Sequence, residues 1–190
     1  MFIIKKKYYL IIESIKDINL DNIKKLKKFS IIYRNQDKSE NKMELLKFRR
    51  VCGLKSIDFY VANNLNLATY LNSDGIYLSS YNKSLKALPL KKMNYRIIGS
   101  AHTHNEIYAK VKQGCEKIIL SKLFSVSYDK KATFLGVIKF NNLLRNYRNL
   151  IPLGGIHLNN LNSLKLVNCE GFALMSEIKK KPTKIISRLF

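Results

Sequence analysis

Leu150-Ile151-Pro152-Leu153-Gly154-Gly155-Ile156 is an apolar run that ends in a glycine pair, and Glu170-Gly171-Phe172-Ala173-Leu174-Met175-Ser176 repeats the pattern further along the chain. Each reads as a short, β-rich stretch that stops at residues able to bring bare backbone N–H groups close to a ligand. Two such ends side by side make a cradle for an anion. In a closed parallel barrel the loops after the last two strands commonly hold a phosphate, and these two runs stand late in the sequence. A lone glycine pair serves a tight turn equally well. The second run brings the phosphate reading level with the turn reading.

Upstream of these runs, strand and helix patterns alternate. Tyr8 to Ile12, Ser30 to Tyr33, Ile57 to Val61, Gly75 to Leu78, Tyr95 to Gly99 and Lys117 to Leu120 read as strands. Between them the spacing predicts helices over Leu20 to Lys28, through Leu20, Ile23 and Leu26, then over Lys42 to Cys52, Asn66 to Leu71 and Glu106 to Gly114. A polar, lysine-bearing loop is expected from Ser121 to Thr133 and a helix from Val137 to Asn149. About eight strands alternating with helices is the signature of an α/β (β/α)8 TIM barrel, with a doubly wound sheet as the alternative.

The chain has 190 residues, 46% of them hydrophobic, which is material for one core. No Pro/Ser-rich linker or low-complexity tract divides it, so residues 1–190 read as a single domain. It is lean for a barrel, a fold that typically takes ~250 residues. Met1-Phe2-Ile3-Ile4 is broken at once by Lys5-Lys6-Lys7. Neither a signal peptide nor a membrane span is expected, and the location is read as cytoplasmic. Cys52, Cys115 and Cys169 are odd in number and widely spaced, so they read as buried thiols and not as a disulfide framework or zinc site. The net charge of +22 suits nucleic acid, an anionic membrane surface or phosphorylated metabolites alike. The lysines are scattered without one stripe or an arginine-rich helix, and the 11 Tyr and 9 Phe lie mostly in strand patterns. Both features argue against nucleic acid as the partner.

In a barrel the C-terminal ends of the strands share one mouth, so polar residues there are site candidates. They are Arg34, Asn63, Ser80, Asn82, Ser100, His102, Lys122, Lys130 and the two backbone cradles. Cations and amides with hardly a carboxylate suit an anionic ligand, whereas a divalent metal prefers carboxylate oxygens. Arg34 can clamp a phosphate or diphosphate bidentately, or form a surface ion pair. Lys122, directly after a buried strand, becomes a proton-transfer group if desolvation lowers its pKa, and is otherwise an ordinary surface lysine. His102 and His104 lack a third metal ligand, and a capping role suits His102 better. Asp74, just before a strand, reads as structural.

Several motifs occur in a characteristic order: Arg34 at a strand end, Ala62-Asn63 followed by Leu67-Ala68, and Asp74-Gly75-Ile76-Tyr77-Leu78-Ser79-Ser80 with Asn82 beyond it. Ser100, His102 and Glu106 follow, then Phe124 and Lys130, Gly154-Gly155-Ile156, and Gly171, Ala173 and Ser176. In this order the chain from Tyr8 to Ile178 resembles the superfamily of thiamine phosphate synthase and thiazole tautomerase. The resemblance implies a barrel that holds a thiazole phosphate through Gly154, Gly155, Met175 and Ser176, with Ser100, His102, Asn63 and Asn82 in the substrate pocket. In the synthase a pyrimidine methyl diphosphate loses diphosphate and the thiazole nitrogen attacks the resulting cation, while arginine, lysine and magnesium stabilise the departing charge. Arg34 and Lys130 are the matching cations. Magnesium is the one cofactor the resemblance implies, and its two usual aspartates are matched here by Asn63 and Asn82. The tautomerase needs no metal, and its proton-transfer histidine after strand six is matched by Lys122.

The expectations are therefore an enzyme of thiamine biosynthesis, synthase-type or tautomerase-type, or a non-catalytic member that binds a phosphorylated thiazole or thiamine phosphate. The partners implied are the phosphorylated thiazole and the pyrimidine diphosphate, with no membrane. The sequence leaves the oligomeric state open.

Overall fold

Alternating side chains decide how this chain closes on itself. The structure, a computed structural model, describes residues 7–23, 27–35, 40–126, 131 and 133–180. Strands β1 Lys7–Ile12, β2 Phe29–Tyr33, β3 Asp58–Ala62, β4 Gly75–Leu78, β5 Arg96–Ala101, β6 Lys117–Ser121, β7 Leu150–Leu153 and β8 Gly171–Leu174 form one sheet ordered β7-β6-β5-β4-β3-β2-β1-β8. Neighbouring strands are parallel throughout. β7 and β8, the two ends of that order, pack beside each other, which makes the sheet a nearly closed barrel, the expected (β/α)8 fold.

Because strand side chains have a period of two, each strand feeds two cores. Tyr9, Ile11, Ile32, Tyr60, Tyr77, Ile98, Ile119, Ile151 and Ala173 fill the barrel interior. Their neighbours, among them Tyr8, Leu10, Ile31, Phe59, Ile76, Ile97, Ile118 and Phe172, face outward into a second, larger core. The helices α1 Lys42–Leu54, α2 Leu65–Tyr70, α3 His104–Lys112 and α4 Gly136–Asn146 lie between strands in the chain and α5 Ser176–Lys180 follows β8, and α1, α3 and α4 bury Leu45, Ile107 and Phe140 in the outer core. Strands buried on both faces are what parallel sheets require.

The N-terminal end of the barrel is closed by charge. Asp58 accepts bonds from Lys7 Nζ at 2.6 Å, Arg96 at 2.8 and 3.2 Å, and Ser30 Oγ at 3.3 Å. Burial pushes the Asp58 carboxyl up, but Arg96 and Lys7 outweigh it and hold it below its ordinary value. Asp74 is structural, as its position before β4 suggests: it accepts from Arg49 at 3.0 Å and from the Phe59 N–H at 2.7 Å, tying α1 to β3.

Several element boundaries differ from the sequence reading. Over Leu20 to Lys28 the described residues form only one 3-10 turn, Leu20–Asn22, and the backbone is extended again at Ile23, with φ −102° and ψ 117°. Asn19 caps the turn through its side-chain oxygen, and Lys55 Nζ holds the Ile23 carbonyl at 2.9 Å. Leu20 and Ile23 are buried, so the spacing reported burial without helix. Residues 24–26 lie outside the described residues. The loop after β6 is less polar in its setting than its lysines suggest, since Leu123 and Val126 are buried. Helix α4 ends at Asn146, three residues short of the expected Asn149, and of the three cysteines Cys169 is only half-buried.

Candidate functional site

A cleft of about 800 Å³ opens at the C-terminal ends of β2, β3 and β4, and it brings together Arg34, Asn63 and Asn82 of the expected site residues. Arg34 is placed by the sheet, for its N–H continues the ladder to the Ile12 carbonyl at 2.8 Å. Its Nε is buried and has no hydrogen-bond partner among the described residues. Lys86 is the second cation of the lining, and Asn35, Asn64 and Asn66 add amides. No Asp or Glu lines the cleft among the described residues. A buried donor without an acceptor beside a second cation is a site short of negative charge.

Asn63 sits directly after β3 at φ +58°, a left-handed conformation that asparagine tolerates better than most residues. Its Oδ1 accepts from the Ser79 N–H and from Asn82 Nδ2, both at 3.0 Å. Its Nδ2 donates to Ser79 Oγ at 2.8 Å and to Tyr81 Oη at 3.1 Å. Asn82 Oδ1 accepts from the Ser84 N–H at 2.9 Å. Both backbone donors fix which end of each amide is oxygen, so the orientations follow from the network itself.

Behind this loop stands a residue that sequence reasoning missed. Lys110 of α3 is completely buried, and its Nζ donates to the Ser79 carbonyl at 2.7 Å, the Asn82 carbonyl at 2.7 Å and Gln113 Oε1 at 2.8 Å. Gln113 in turn donates to the carbonyls of Asn82 and Ser84, at 3.0 and 2.8 Å. Three oxygen acceptors need the three donors of an ammonium, which a neutral amine lacks. Burial lowers the lysine's pKa, and the Cys115 and Glu106 charges oppose that shift. The stem reaches the loop across Gly99 of β5, where a Cβ would come within 2.8 Å of Lys110 Cδ. The available signal was helical spacing: Lys110 is three residues beyond the buried Ile107 and three before the buried Gln113.

The remaining expected residues lie around the mouth. Gly154 and Gly155 follow β7 at φ +96° and +66°, and the loop after β6 packs tightly on them. A Cβ on Gly154 would stand 3.1 Å from Lys122 Cα, and one on Gly155 would stand 2.3 Å from the Ser125 carbonyl oxygen. Leu123 and Phe124 donate their N–H groups to the Leu153 and Gly154 carbonyls at 2.8 and 3.0 Å. The glycines are thus required by close approach and conformation together, and their own N–H groups donate in none of the backbone hydrogen bonds of the described residues. Lys122 lies half-buried against this pair, Met175 packs on the interior core at the end of β8, and Ser176 opens α5. Lys130 lies outside the described residues.

Ser100 points into the barrel and is buried beside Tyr77, whose pKa burial pushes up, opposed by the Ser100 hydroxyl and by the Arg34 charge. Tyr77 is therefore a further residue beneath the mouth, placed there by the two-residue period of β4. His102 is exposed; its N–H is capped by Glu106 at 2.6 Å and its Nδ1 is 2.9 Å from Ser121 Oγ. His104 bonds Tyr147 Oη at 3.0 Å, tying α3 to the end of α4.

The residues present do not fit magnesium. That ion takes oxygens at about 2.0–2.1 Å in near-octahedral order, with carboxylates as its usual protein ligands. Asn63 Oδ1 already accepts two hydrogen bonds, and Asn82 turns its Nδ2, a donor, toward it. No group of three or more His, Cys, Asp or Glu that could hold a metal occurs among the described residues.

A family profile described as thiamine monophosphate synthase matches residues 9–178. The thiamine-phosphate synthase of Flavobacterium johnsoniae is 25% identical over 162 residues, covering 81% of this chain and 76% of that protein. That of Prochlorococcus marinus strain AS9601 is 30% identical over 140 residues, 71% of this chain and 39% of the longer relative. Among solved structures, a thiamine phosphate pyrophosphorylase from Pyrococcus furiosus superposes with a TM-score of 0.71 at 17% identity over 97% of each chain. A 3-keto-L-gulonate-6-phosphate decarboxylase from Vibrio cholerae superposes with a TM-score of 0.64 at 14% identity, over 98% of this chain and 99% of the other. At such identities the superpositions establish the barrel alone.

Proposed function

The chain belongs to the thiamine monophosphate synthase family, and from that premise we propose that it joins a phosphorylated thiazole to a pyrimidine methyl diphosphate. The observation that carries this reading is the cationic cleft, in which Arg34 holds a buried donor without an acceptor among the described residues and Lys86 and several amides share the lining. The diphosphate end of the pyrimidine substrate occupies it. As the methylene C–O bond breaks, its electron pair leaves with the diphosphate, and the guanidinium and the ammonium stabilise that charge as it develops. The thiazole nitrogen then gives its lone pair to the methylene carbon, forming the new C–N bond.

The thiazole phosphate rests on the Gly154-Gly155 turn and the start of α5 at Ser176. There both glycines turn at positive φ, and their N–H groups, which donate in none of the backbone hydrogen bonds of the described residues, are the donors offered to a phosphate oxygen. Lys130 is the further cation implied by the family pattern. Lys122, half-buried against Gly154, is our candidate for proton transfer if the chemistry is tautomerisation.

Two binding measurements test the reading. Thiazole phosphate at 100 times its Kd should stabilise the protein by about 2.7 kcal/mol and raise its Tm accordingly. An unchanged melting curve at millimolar ligand removes the cradle. Arg34→Ala should weaken diphosphate binding roughly 10- to 100-fold, the worth of a charge-assisted pair. Unaltered affinity removes Arg34 from the site.

A further inference from the structure

The family pattern places two metal-holding carboxylates where this chain has Asn63 and Asn82, and these two amides close on each other at 3.0 Å. Each orientation is set by a backbone N–H, from Ser79 and from Ser84, so neither can turn an oxygen outward without leaving a donor unpaired. Tyr81 Oη completes the ring on Asn63 Nδ2. The loop that carries Asn82 and Tyr81 into the cleft is thus tied to the end of β3, and it has a second anchor.

That anchor is on the far side of the loop. Lys110 Nζ grips the carbonyls of Ser79 and Asn82 from within the outer core, and Gln113 braces the same loop at Asn82 and Ser84. A fixed internal ammonium draws two backbone oxygens of one loop together without any cation on the cleft side. The cleft face is left with Arg34 and Lys86 as its cations and no described carboxylate. Such a surface takes a diphosphate oxygen directly, with no cation between.

We propose that the anion cleft of this chain is metal-independent: it binds a diphosphate group directly on Arg34, and the buried Lys110 is the positioning residue that holds the 79–84 loop in place of a divalent cation. This inference rests on the reading of the cleft as the diphosphate site, and the experiment separates the two.

The probe is inorganic diphosphate, titrated into the purified protein by calorimetry in EDTA and again in excess Mg²⁺, with Mn²⁺ alone followed in parallel by electron paramagnetic resonance. The inference predicts diphosphate binding in EDTA at least as tight as in Mg²⁺, and no stoichiometric Mn²⁺ binding at millimolar concentration. Diphosphate binding that appears only with Mg²⁺ overturns metal independence while leaving the cleft as the diphosphate site. One Mn²⁺ per chain, lost in Asn63→Ala, overturns it as well. No binding in either condition removes the cleft reading and the inference together.

For Lys110, the variant Lys110→Met is read by hydrogen exchange and by diphosphate affinity. Faster exchange of the 79–84 amides with at least tenfold weaker binding in EDTA is expected. Unchanged exchange and affinity in the folded variant refute the positioning role. Should Lys110→Met not fold, Gln113→Leu, which removes the brace and one acceptor but leaves the ammonium, is expected to loosen the same amides and weaken binding; no change in either refutes the role.

Discussion

Gly155→Ala probes the turn that the anion cradle depends on, and the structure supplies its own control. At Gly155 φ is +66°, and an added methyl would stand 2.3 Å from the Ser125 carbonyl oxygen and 2.6 Å from the carbonyl carbon and oxygen of Phe124. These are backbone atoms, so the loop after β6 has to move. At Gly136, at the start of α4, φ is +70°, and an added methyl meets nothing within 4 Å. Both substitutions carry the left-handed penalty of about 1–2 kcal/mol, partly offset in each by the stiffer unfolded chain. Only Gly155→Ala adds overpacking, about 1–3 kcal/mol. Gly136→Ala should therefore cost about 1 kcal/mol and Gly155→Ala about 2–4 kcal/mol. Urea unfolding followed by circular dichroism measures both, with equal slopes as the check that the unfolded states match. Equal costs within about 0.5 kcal/mol, the usual noise of surface substitutions, would refute the close packing of the two loops.

The charge cluster at the other end of the barrel predicts a pH signature. Asp58→Asn should cost about 1–2 kcal/mol near neutral pH, a value kept low because Arg96 is 40% exposed. The Asp58 carboxyl is held below its ordinary value, so its stabilisation is present above the unfolded pKa of about 3.9 and lost as pH falls through the folded pKa. Urea midpoints of wild type and variant should therefore converge in acid, and a gap that persists or widens there contradicts the assignment. Burial pushes the thiols of Cys52 and Cys115 up to about 12. In the native protein both should resist a thiol reagent near neutral pH and react only on unfolding, whereas rapid native modification of either, mapped by mass spectrometry, contradicts their burial.

The barrel was legible because its strands are buried on both faces and stand out as β-rich runs between helical patterns. The Gly75 to Leu78 strand was read with its boundaries intact, since turn residues fence it on both sides. Leu20, Ile23 and Leu26 share the spacing of a helix, yet the chain there follows an asparagine-capped turn into extended backbone. Periodicity reports which residues are buried before it reports their conformation. Arg34, Asn63 and Asn82 were readable as mouth residues from their places after β2, β3 and β4, and the cleft unites them. Lys110 was not, because a lysine on a helix reads as solvated until its acceptors, supplied by a loop 28 and 31 residues earlier, are placed beside it. The asparagine network was hidden for the same reason: sequence shows that the carboxylates of the family pattern are missing, while only the fold shows what occupies their place.

The central claim is that this chain makes the C–N bond between the two substrates. Purified protein is incubated with thiazole phosphate and pyrimidine methyl diphosphate, and thiamine phosphate is read by fluorescence after oxidation to thiochrome. The account predicts product above the protein-free control, falling at least tenfold in Arg34→Ala. No product from folded wild-type protein, in EDTA and in Mg²⁺ alike, would contradict it and leave a tautomerase-type or binding-only member of the family, with Lys122 the next residue to replace.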